Sequence, residues 1–319
     1  MTKLYPFLLE PVYKDYVWGG KKIAKHFHRK QLTQRCAESW EVSDRSDGMS
    51  LITNGAYRGY TLHKLEQELG SKLLGTACSS ARFPLLIKLI DAAENLSVQV
   101  HPNDKDAALL GAEAKSECWV VLDAEEDAAV YAGLKKGVTQ RVFEEACKQD
   151  RVLECLEKIP VQEGDVIYVP GGCVHAILSG CLLLEVQQNS NTTYRIYDWG
   201  RGRDLHLEKA LQVIQWDLLE NLQKKPELIS SSPQQWSLIT CPYFSIQKIE
   251  IKQAWTTPVD PKGFQVFFCL SGNGEVEVQQ RAETYREGMS CLIAAASEQV
   301  TWTPTSPSIL IRITLNLEK

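Results

Sequence analysis

Three short segments combine imidazole, carboxylate and amide side chains in a pattern that could bind a metal ion. The first covers residues 97–102 (Ser-Val-Gln-Val-His-Pro), where polar and apolar residues alternate. Because successive side chains of a β-strand point to opposite faces, Ser97, Gln99 and His101 are expected on one face and the valines on the other. Buried polar groups need partners, so this face predicts either a binding site or a barrel mouth open to water.

The other two segments place a carboxylate and a second imidazole at strand ends. Residues 115–121 (Lys-Ser-Glu-Cys-Trp-Val-Val) begin charged and become apolar, with Glu117 and Trp119 on one face. Residues 164–175 (Gly-Asp-Val-Ile-Tyr-Val-Pro-Gly-Gly-Cys-Val-His) contain a Pro-Gly-Gly reversal that requires positive φ and leads to His175. A lone Glu or His in such a place is usually structural. Here the order glycine, Pro-x-Gly, histidine resembles the second motif of the cupin barrels.

Together these segments supply two imidazoles, one carboxylate and one amide oxygen, from Gln99, His101, Glu117 and His175. Nitrogen and carboxylate ligands with an open position describe a catalytic zinc site. Two histidines and a carboxylate also describe non-haem iron used for oxygen chemistry. The four remaining histidines have no comparable context and are predicted to be surface residues: His26, His28, His63 and His206.

Charged residues in apolar surroundings form a second group of candidates. Lys88 interrupts an apolar strand, and Glu185 lies in another, where burial predicts a raised pKa unless the carboxylate is paired. Arg195 ends a polar stretch, and the structural alternative for it is an ion pair with Asp198. Lys88, Lys115 and Arg195 together form a cationic set able to hold a phosphate group.

The elements that would position these residues are mostly short strands separated by glycine and proline. Predicted strands cover residues 83–91, 95–101, 117–122, 128–133, 165–169, 174–178 and 182–188, followed by 244–251, 264–271, 275–279, 290–294, 299–303 and 309–316. Apolar spacings of three and four predict helices over 139–156, with Thr139 as a candidate cap, over 205–222, and over the shorter segment 64–74. The polar run 229–235 is typical of a linker. This pattern predicts a mainly β protein built of sandwiches or barrels, with jelly rolls favoured.

Length and composition limit the class of protein. A chain of 319 residues exceeds a typical single domain, and 35 basic against 40 acidic residues predict no nucleic-acid or membrane partner. Ten scattered cysteines without a Cys-x-x-Cys pair indicate reduced thiols in a cytoplasmic protein. We expect neither a signal peptide nor a membrane-spanning helix.

Several of these segments, in order along the chain, resemble type I mannose-6-phosphate isomerases, in particular their short bacterial branch. The similar segments are residues 83–92, 96–104 and 115–119, the His175 turn, and 189–199 (Asn-Ser-Asn-Thr-Thr-Tyr-Arg-Ile-Tyr-Asp-Trp). The resemblance covers most of residues 5–215 and is looser in the tail. It implies two cupin-type jelly-roll barrels with a helical segment between or beside them. Residues 1–230 would form the catalytic domain and 231–319 a cupin-like domain without metal.

The resemblance also implies residue roles. One Zn²⁺ ion per chain would be held by Gln99, His101, Glu117 and His175. Arg195 would be catalytic, and Lys88, Lys115, Ser97 and Glu185 would be active-site groups. One departure is Asn191, which stands where longer family members have an aspartate, so a mechanism using that aspartate as base cannot operate here unchanged.

The expected activity is the interconversion of mannose 6-phosphate and fructose 6-phosphate through an enediol, with Glu185 as the general base. We expect a cytoplasmic monomer or homodimer whose partner is a small sugar phosphate. The alternatives are an iron-dependent cupin oxygenase and a cupin that binds sugar phosphates without turnover. Gln99 in the ligand set and the cationic residues Lys88, Lys115 and Arg195 count against the oxygenase.

Overall fold

The structure, a computed structural model, describes residues 4–32, 34–78, 82–218 and 221–316. Strands dominate these residues, and their six helices are short: α1 Lys22–His26, α2 Leu62–Leu69, α3 Ser71–Leu74, α4 Asp104–Leu110, α5 Gln140–Lys148 and α6 Leu207–Val213. Of the helices described, none has the length and apolar character needed to cross a bilayer.

The strands fall into four sheets. In the first half of the chain they are β1 Phe7–Glu10, β2 Val12–Lys14, β3 Glu38–Val42, β4 Asp44–Arg45, β5 Gly48–Met49, β6 Leu51–Ile52, β7 Leu85–Ala92, β8 Val98–Val100, β9 Glu117–Ala124, β10 Ala129–Leu134 and β11 Leu156–Pro160. The second half adds β12 Val166–Val169, β13 His175–Ile177, β14 Cys181–Gln188, β15 Tyr194–Tyr197, β16 Gln223–Lys224, β17 Glu227–Ser231, β18 Gln234–Thr240, β19 Phe244–Ile251, β20 Trp255–Pro258, β21 Gln265–Val278, β22 Arg281–Arg286, β23 Ser290–Ile293 and β24 Gln299–Leu315.

Contacts divide the chain into two compact units. The first comprises Met1–Val12, Trp40–Leu86 and Lys225–Lys319, and the second comprises Tyr13–Ser39 and Ile87–Lys224. A ten-stranded sheet in the order β17-β18-β19-β24-β21-β23-β1-β6, with β20 and β22 beside it, belongs to the first unit. The second unit holds the five-stranded sheet β11-β10-β13-β8-β15 and most of the seven-stranded sheet β16-β12-β9-β14-β7-β3-β2. The predicted division into domains 1–230 and 231–319 stays a prediction.

The two longest predicted helices both end earlier in the structure than their apolar pattern suggests. Thr139 caps α5 as expected, accepting a hydrogen bond from the Val142 N–H, but the helix stops at Lys148 and a 3-10 turn follows at Val152–Cys155. Asp150 has φ of +56°, which breaks the helix. The predicted extension to residue 156 is therefore wrong, because Leu156 begins a strand.

The helix predicted over 205–222 is likewise reduced to α6. After Val213 the chain becomes extended at Ile214, and the Gln215 N–H donates to the Gly172 carbonyl at 2.9 Å instead of to a helix carbonyl. Leu222 packs in a different hydrophobic cluster from the residues of α6. Apolar spacing alone does not show which hydrophobic cluster a residue joins. Residues 219–220 lie outside the described part of the chain.

The tail contains longer strands than predicted, and its expected linker is a hairpin. β19 has the predicted bounds, whereas two pairs of predicted strands merge into β21 and β24. Register shifts near Gly272, whose φ is +90°, carry β21 through residues that otherwise break strands. The polar run 229–235 lies in the hairpin of β17 and β18, so the linker prediction is wrong; Leu228 pairs with Trp236 there.

Candidate active site

The alternation predicted for residues 97–101 is confirmed by the packing of Val98 and Val100 on the apolar face of the strand. Val98 and Val100 on β8 are fully buried in a cluster with Phe143 of α5 and Ala210 of α6. Gln99 therefore points to the opposite face of the strand. Within the sheet, β8 lies between β13 and β15. Gln99 is paired in register with His175 on β13 and with Arg195 on β15.

The Pro-Gly-Gly turn brings His175 to this strand. Gly172 has φ of +89° and donates its N–H to the His101 carbonyl at 2.7 Å, as the predicted reversal requires. Gly171 allows a close approach, because a Cβ there would lie 2.6 Å from the Asn103 Cα. The turn therefore ties the segment before His175 directly to the segment that carries His101.

Four of the predicted side chains meet in one buried cluster. The His101 and His175 Nε2 atoms lie 3.6 and 3.3 Å from the two carboxylate oxygens of Glu117, and all three residues are at most 1% exposed. The Gln99 side-chain amide lies 3.3 Å from the His175 Nε2. His101, Glu117 and His175 have ligand atoms within 4.8 Å of one another, close enough to bind one metal ion.

Hydrogen bonds on the far side of each ring prepare the imidazoles as metal ligands. His101 Nδ1 lies 2.7 Å from the Thr192 carbonyl and His175 Nδ1 lies 2.9 Å from the Cys173 carbonyl. A carbonyl oxygen only accepts, so each Nδ1 carries the proton and each Nε2 presents its lone pair to the cluster. Burial lowers the pKa of both rings, that of His175 to about 4, which favours the neutral ligand form.

Glu117 completes a donor set that fits a divalent metal. Its Oε1 is buried and has no hydrogen-bond partner among the described residues. Burial first, and then the charge of Glu185, raise the pKa of the Glu117 carboxyl. The Lys115 ammonium, 2.6 Å from the Glu117 Oε2, opposes this rise. Two neutral imidazoles with a carboxylate are ligands that zinc prefers, and the Gln99 amide oxygen can be the fourth after a side-chain flip.

Glu185 lies beside this cluster, and its carboxylate is paired. It accepts a hydrogen bond from the Trp119 indole at 2.9 Å and lies 3.2 Å from the Lys88 ammonium. Although burial alone would raise its pKa, Lys115 and Lys88 outweigh burial and hold the pKa well below its usual range. The raised pKa expected for an unpaired Glu185 therefore does not arise, because Lys88 on the neighbouring strand β7 is buried beside the carboxylate.

Lys88 is buried as a charged group between two carboxylates. Its ammonium lies 3.2 Å from Glu185 and 3.6 Å from Glu38, and the residue is 5% exposed. Burial would lower its pKa, but these carboxylates outweigh burial and raise the pKa above its usual value. Lys88 therefore stays positively charged across any working pH, as a phosphate or oxyanion contact requires.

Arg195 faces the same cavity and is not the main partner of Asp198. Its Nη1 donates to the Asp204 carbonyl at 2.9 Å, and its buried Nε has no hydrogen-bond partner among the described residues. Asp198 instead forms a short ion pair with Arg203 and lies 3.9 Å from Arg201. Arg195 therefore lines the cavity while Asp198 is paired with Arg203, against the structural alternative of an Arg195–Asp198 pair.

A cavity of about 180 Å³ joins these residues. The predicted residues on its wall are Lys88, Ser97, Gln99, Lys115, Glu117, Glu185, Asn191 and Arg195. Sequence reasoning missed Glu38, Arg203, Trp18, Tyr16 and Thr193, which also line it. A glutamate or tryptophan beside a short strand carries no distinctive spacing, whereas Arg203 could have been found from its nearness to Asp198 in the chain.

Two family models match the chain. Residues 7–119 match the phosphomannose isomerase type I catalytic domain, and residues 235–311 match the mannose-6-phosphate isomerase cupin domain. Gln99, His101 and Glu117 lie inside the first match. His175, Glu185 and Arg195 lie in neither, so their places in the site depend on the geometry described above.

Curated relatives and solved structures extend the similarity over nearly the whole chain. Mannose-6-phosphate isomerase ManA of Bacillus subtilis is 34% identical over 304 residues, 90% of this chain and 92% of the relative. The enzyme of Streptococcus mutans is 34% identical over 295 residues, covering 89% and 90% of the two chains. A crystal structure of mannose 6-phosphate isomerase from Bacillus subtilis has a TM-score of 0.89 at 28% identity and covers 97% of this chain and 99% of its own.

A zinc-bound mannose 6-phosphate isomerase structure shares the fold, with a TM-score of 0.77 at 16% identity over 98% of this chain and 99% of its own. These matches confirm the predicted fold class, which is mainly β and cupin-type. The similarity in sequence over most of the chain decides the family as well, and this chain belongs to the type I mannose-6-phosphate isomerases.

Proposed function

We propose that this chain interconverts mannose 6-phosphate and fructose 6-phosphate through an enediol, with one zinc ion per chain in the active site. The observation that carries the proposal is the geometry of His101 and His175, whose Nε2 atoms both face the Glu117 carboxylate. Glu117 in turn lines the cavity that also bears Lys88, Lys115 and Arg195. Gln99 would be the weakest of the four ligands because a neutral amide oxygen is a poorer zinc ligand than imidazole or carboxylate.

Zinc held there would act as a Lewis acid that polarises the sugar carbonyl. Because charge develops on the substrate oxygens, fixed positive groups on the cavity wall lower the barrier. Arg195 supplies such a charge, because its guanidinium lines the cavity. Lys88, Lys115 and Ser97 are proposed to bind the substrate, since all three line the cavity.

The proton transfer between C1 and C2 requires a group that accepts a carbon-bound proton. Glu185 stays the proposed base, and its low pKa keeps it ionised at working pH. The same low pKa makes it a weaker base than the sequence suggested. A second effect of Glu185 is positional, because it fixes both the Trp119 indole and the Lys88 ammonium.

Glu185→Gln is expected to lower turnover by about 10²- to 10⁴-fold, the usual contribution of a positioned acid–base group. It should also abolish exchange of the substrate C2 proton with solvent deuterium, measured by NMR. Glu126→Gln, at an exposed position, is the matched control. Retained proton exchange with slow turnover would assign Glu185 a positioning role and place the base elsewhere.

The activity itself is tested by a coupled assay that follows mannose 6-phosphate conversion, before and after chelation and again after zinc is added back. We expect activity to vanish on chelation and return with zinc. Restoration by iron with consumption of oxygen would favour a cupin oxygenase, and tight binding of mannose 6-phosphate without turnover in the zinc-loaded protein would favour a binding protein. The family assignment favours the isomerase over both.

We further propose a cytoplasmic location and a monomeric or homodimeric state. The thiols support the location, because the ten cysteines are scattered without a Cys-x-x-Cys pair and eight of them are buried. Such thiols persist in a reducing compartment.

A further inference from the structure

A second group of metal-ligating side chains lies in the first compact unit. Asp44, His63 and Glu66 each offer a ligand atom, and these atoms lie within 4.8 Å of one another. Asp44 begins β4, whereas His63 and Glu66 lie three residues apart on α2 and therefore share one face of that helix. His63, predicted to be a surface residue, lies beside these two carboxylates because the fold brings β4 and α2 together.

The two carboxylates are buried, while the imidazole reaches solvent. Asp44 is 1% exposed and Glu66 7% exposed, whereas a third of the His63 side chain is accessible. His63 Nδ1 lies 3.3 Å from an Asp44 carboxylate oxygen, and the Phe83 N–H donates to Asp44 Oδ2 at 3.2 Å. The Phe83 N–H therefore fixes Asp44, α2 carries the other two side chains, and the accessible histidine gives a metal ion a path into the site.

Glu66 supplies a separate observation that indicates a ligand. Its Oε2 is buried in the cluster and has no hydrogen-bond partner among the described residues. Burial first, and then the charge of Asp44, raise the pKa of the Glu66 carboxyl. Two carboxyl groups this close are stabilised either by a proton shared between them or by a bound cation, and a divalent ion would displace that proton.

The far side of the His63 ring is also suited to ligation. His63 Nε2 lies 3.0 Å from the side-chain amide of Gln67, one turn along α2. The oxygen and nitrogen of an amide are interchangeable by a flip, so Gln67 can accept the Nε2–H and leave the Nδ1 lone pair facing the carboxylates.

We propose that Asp44, His63 and Glu66 bind a divalent transition-metal ion, Zn²⁺ or Mn²⁺, that clips α2 to β4. A mixed imidazole and carboxylate set suits these ions better than Mg²⁺ or Ca²⁺, which prefer oxygen ligands alone. The ion is additional to the active-site zinc of the proposed function and shares no ligand with it. Binding to the folded chain would raise its melting temperature, because the unfolded chain lacks the site.

The test counts metal ions in four variants of the full chain, stripped by chelation and reloaded with Zn²⁺ or, separately, with Mn²⁺. We expect two ions in the parent chain, one in Glu66→Gln, one in His175→Ala and none in the double variant. The ion that saturates the site at lower concentration identifies the metal. Glu68→Gln, the same change at an exposed position of α2, should keep both ions.

Melting temperatures and activity make the outcome specific. In the His175→Ala background, metal should raise the melting temperature by about 2 °C or more, and Glu66→Gln should remove this rise. Without metal, Glu66→Gln should be at least as stable as the parent because it removes one of two like charges. It should also keep isomerase activity within about twofold of the parent, since it lies outside the active site.

An unchanged ion count in Glu66→Gln, or no metal-dependent rise in His175→Ala, would overturn the second site and leave the active-site proposal intact. Should Glu66→Gln fail to fold, Asp44→Asn replaces it and must lose the same ion. Failure of the active-site proposal has a different signature, because His175→Ala would then bind as many ions as the parent chain.

Discussion

His175→Ala should empty the active site of zinc and lower turnover by about a thousandfold or more, since the Lewis acid is worth several kcal/mol of transition-state stabilisation. The reason is geometric: His175 Nε2 lies 3.3 Å from Glu117, and its tautomer is set by the Cys173 carbonyl. The measurements are bound zinc per chain and turnover. They are made in a Glu66→Gln background, so that the remaining zinc reports the active site alone.

The control is His26→Ala, which removes an imidazole outside both clusters. His101→Ala and Glu117→Ala should behave like His175→Ala, whereas Gln99→Ala should weaken zinc binding less because an amide oxygen is the poorest ligand of the four. Full zinc occupancy in His175→Ala would show that the metal is bound elsewhere, and the proposed active site would be wrong.

Arg195→Ala should lower turnover by about a hundredfold to a thousandfold, as expected for one donor lost from a site that stabilises developing negative charge. The guanidinium lines the cavity with a buried Nε that has no hydrogen-bond partner among the described residues. Burial, and then Arg203, lower its pKa, but a guanidinium stays protonated at any working pH. Zinc content and melting temperature should stay close to those of the parent chain.

Two comparisons separate catalysis from substrate binding and from folding. Lys88→Met should raise the Michaelis constant as well, by about tenfold, because a charged hydrogen bond to substrate is lost. Arg141→Ala, on an exposed face of α5, should change neither constant. Near-normal turnover with a lowered melting temperature in Arg195→Ala would show that Arg195 supports the fold rather than the reaction.

The strands that carry the site were predicted well because their pattern is local. Alternation along residues 97–101 placed Val98 and Val100 in the core and Gln99 toward the cavity, as the hydrophobic cluster around α5 and α6 shows. The Pro-Gly-Gly turn was equally readable, since Gly172 has the positive φ that such a reversal needs. Both signals depend only on neighbours along the chain.

Helix ends and the tail were predicted less well because distant contacts decide them. The helix over 205–222 stops where Gln215 bonds to Gly172, some forty residues earlier in the chain. The expected linker at 229–235 becomes part of a hairpin because β18 pairs with β19 on its other side. Apolar spacing and polarity cannot report such pairings.

The sequence by itself determined the family, the mainly β class and the candidate ligands Gln99, His101, Glu117 and His175, because these are matters of residue type and local spacing. Only the tertiary structure decided which charges meet. It placed Lys88 beside Glu185, so that the pKa of this buried carboxyl is lowered rather than raised, and it paired Asp198 with Arg203 rather than with Arg195. A pKa depends on the distance to other charges and on burial, and both are set by strands far apart in the chain.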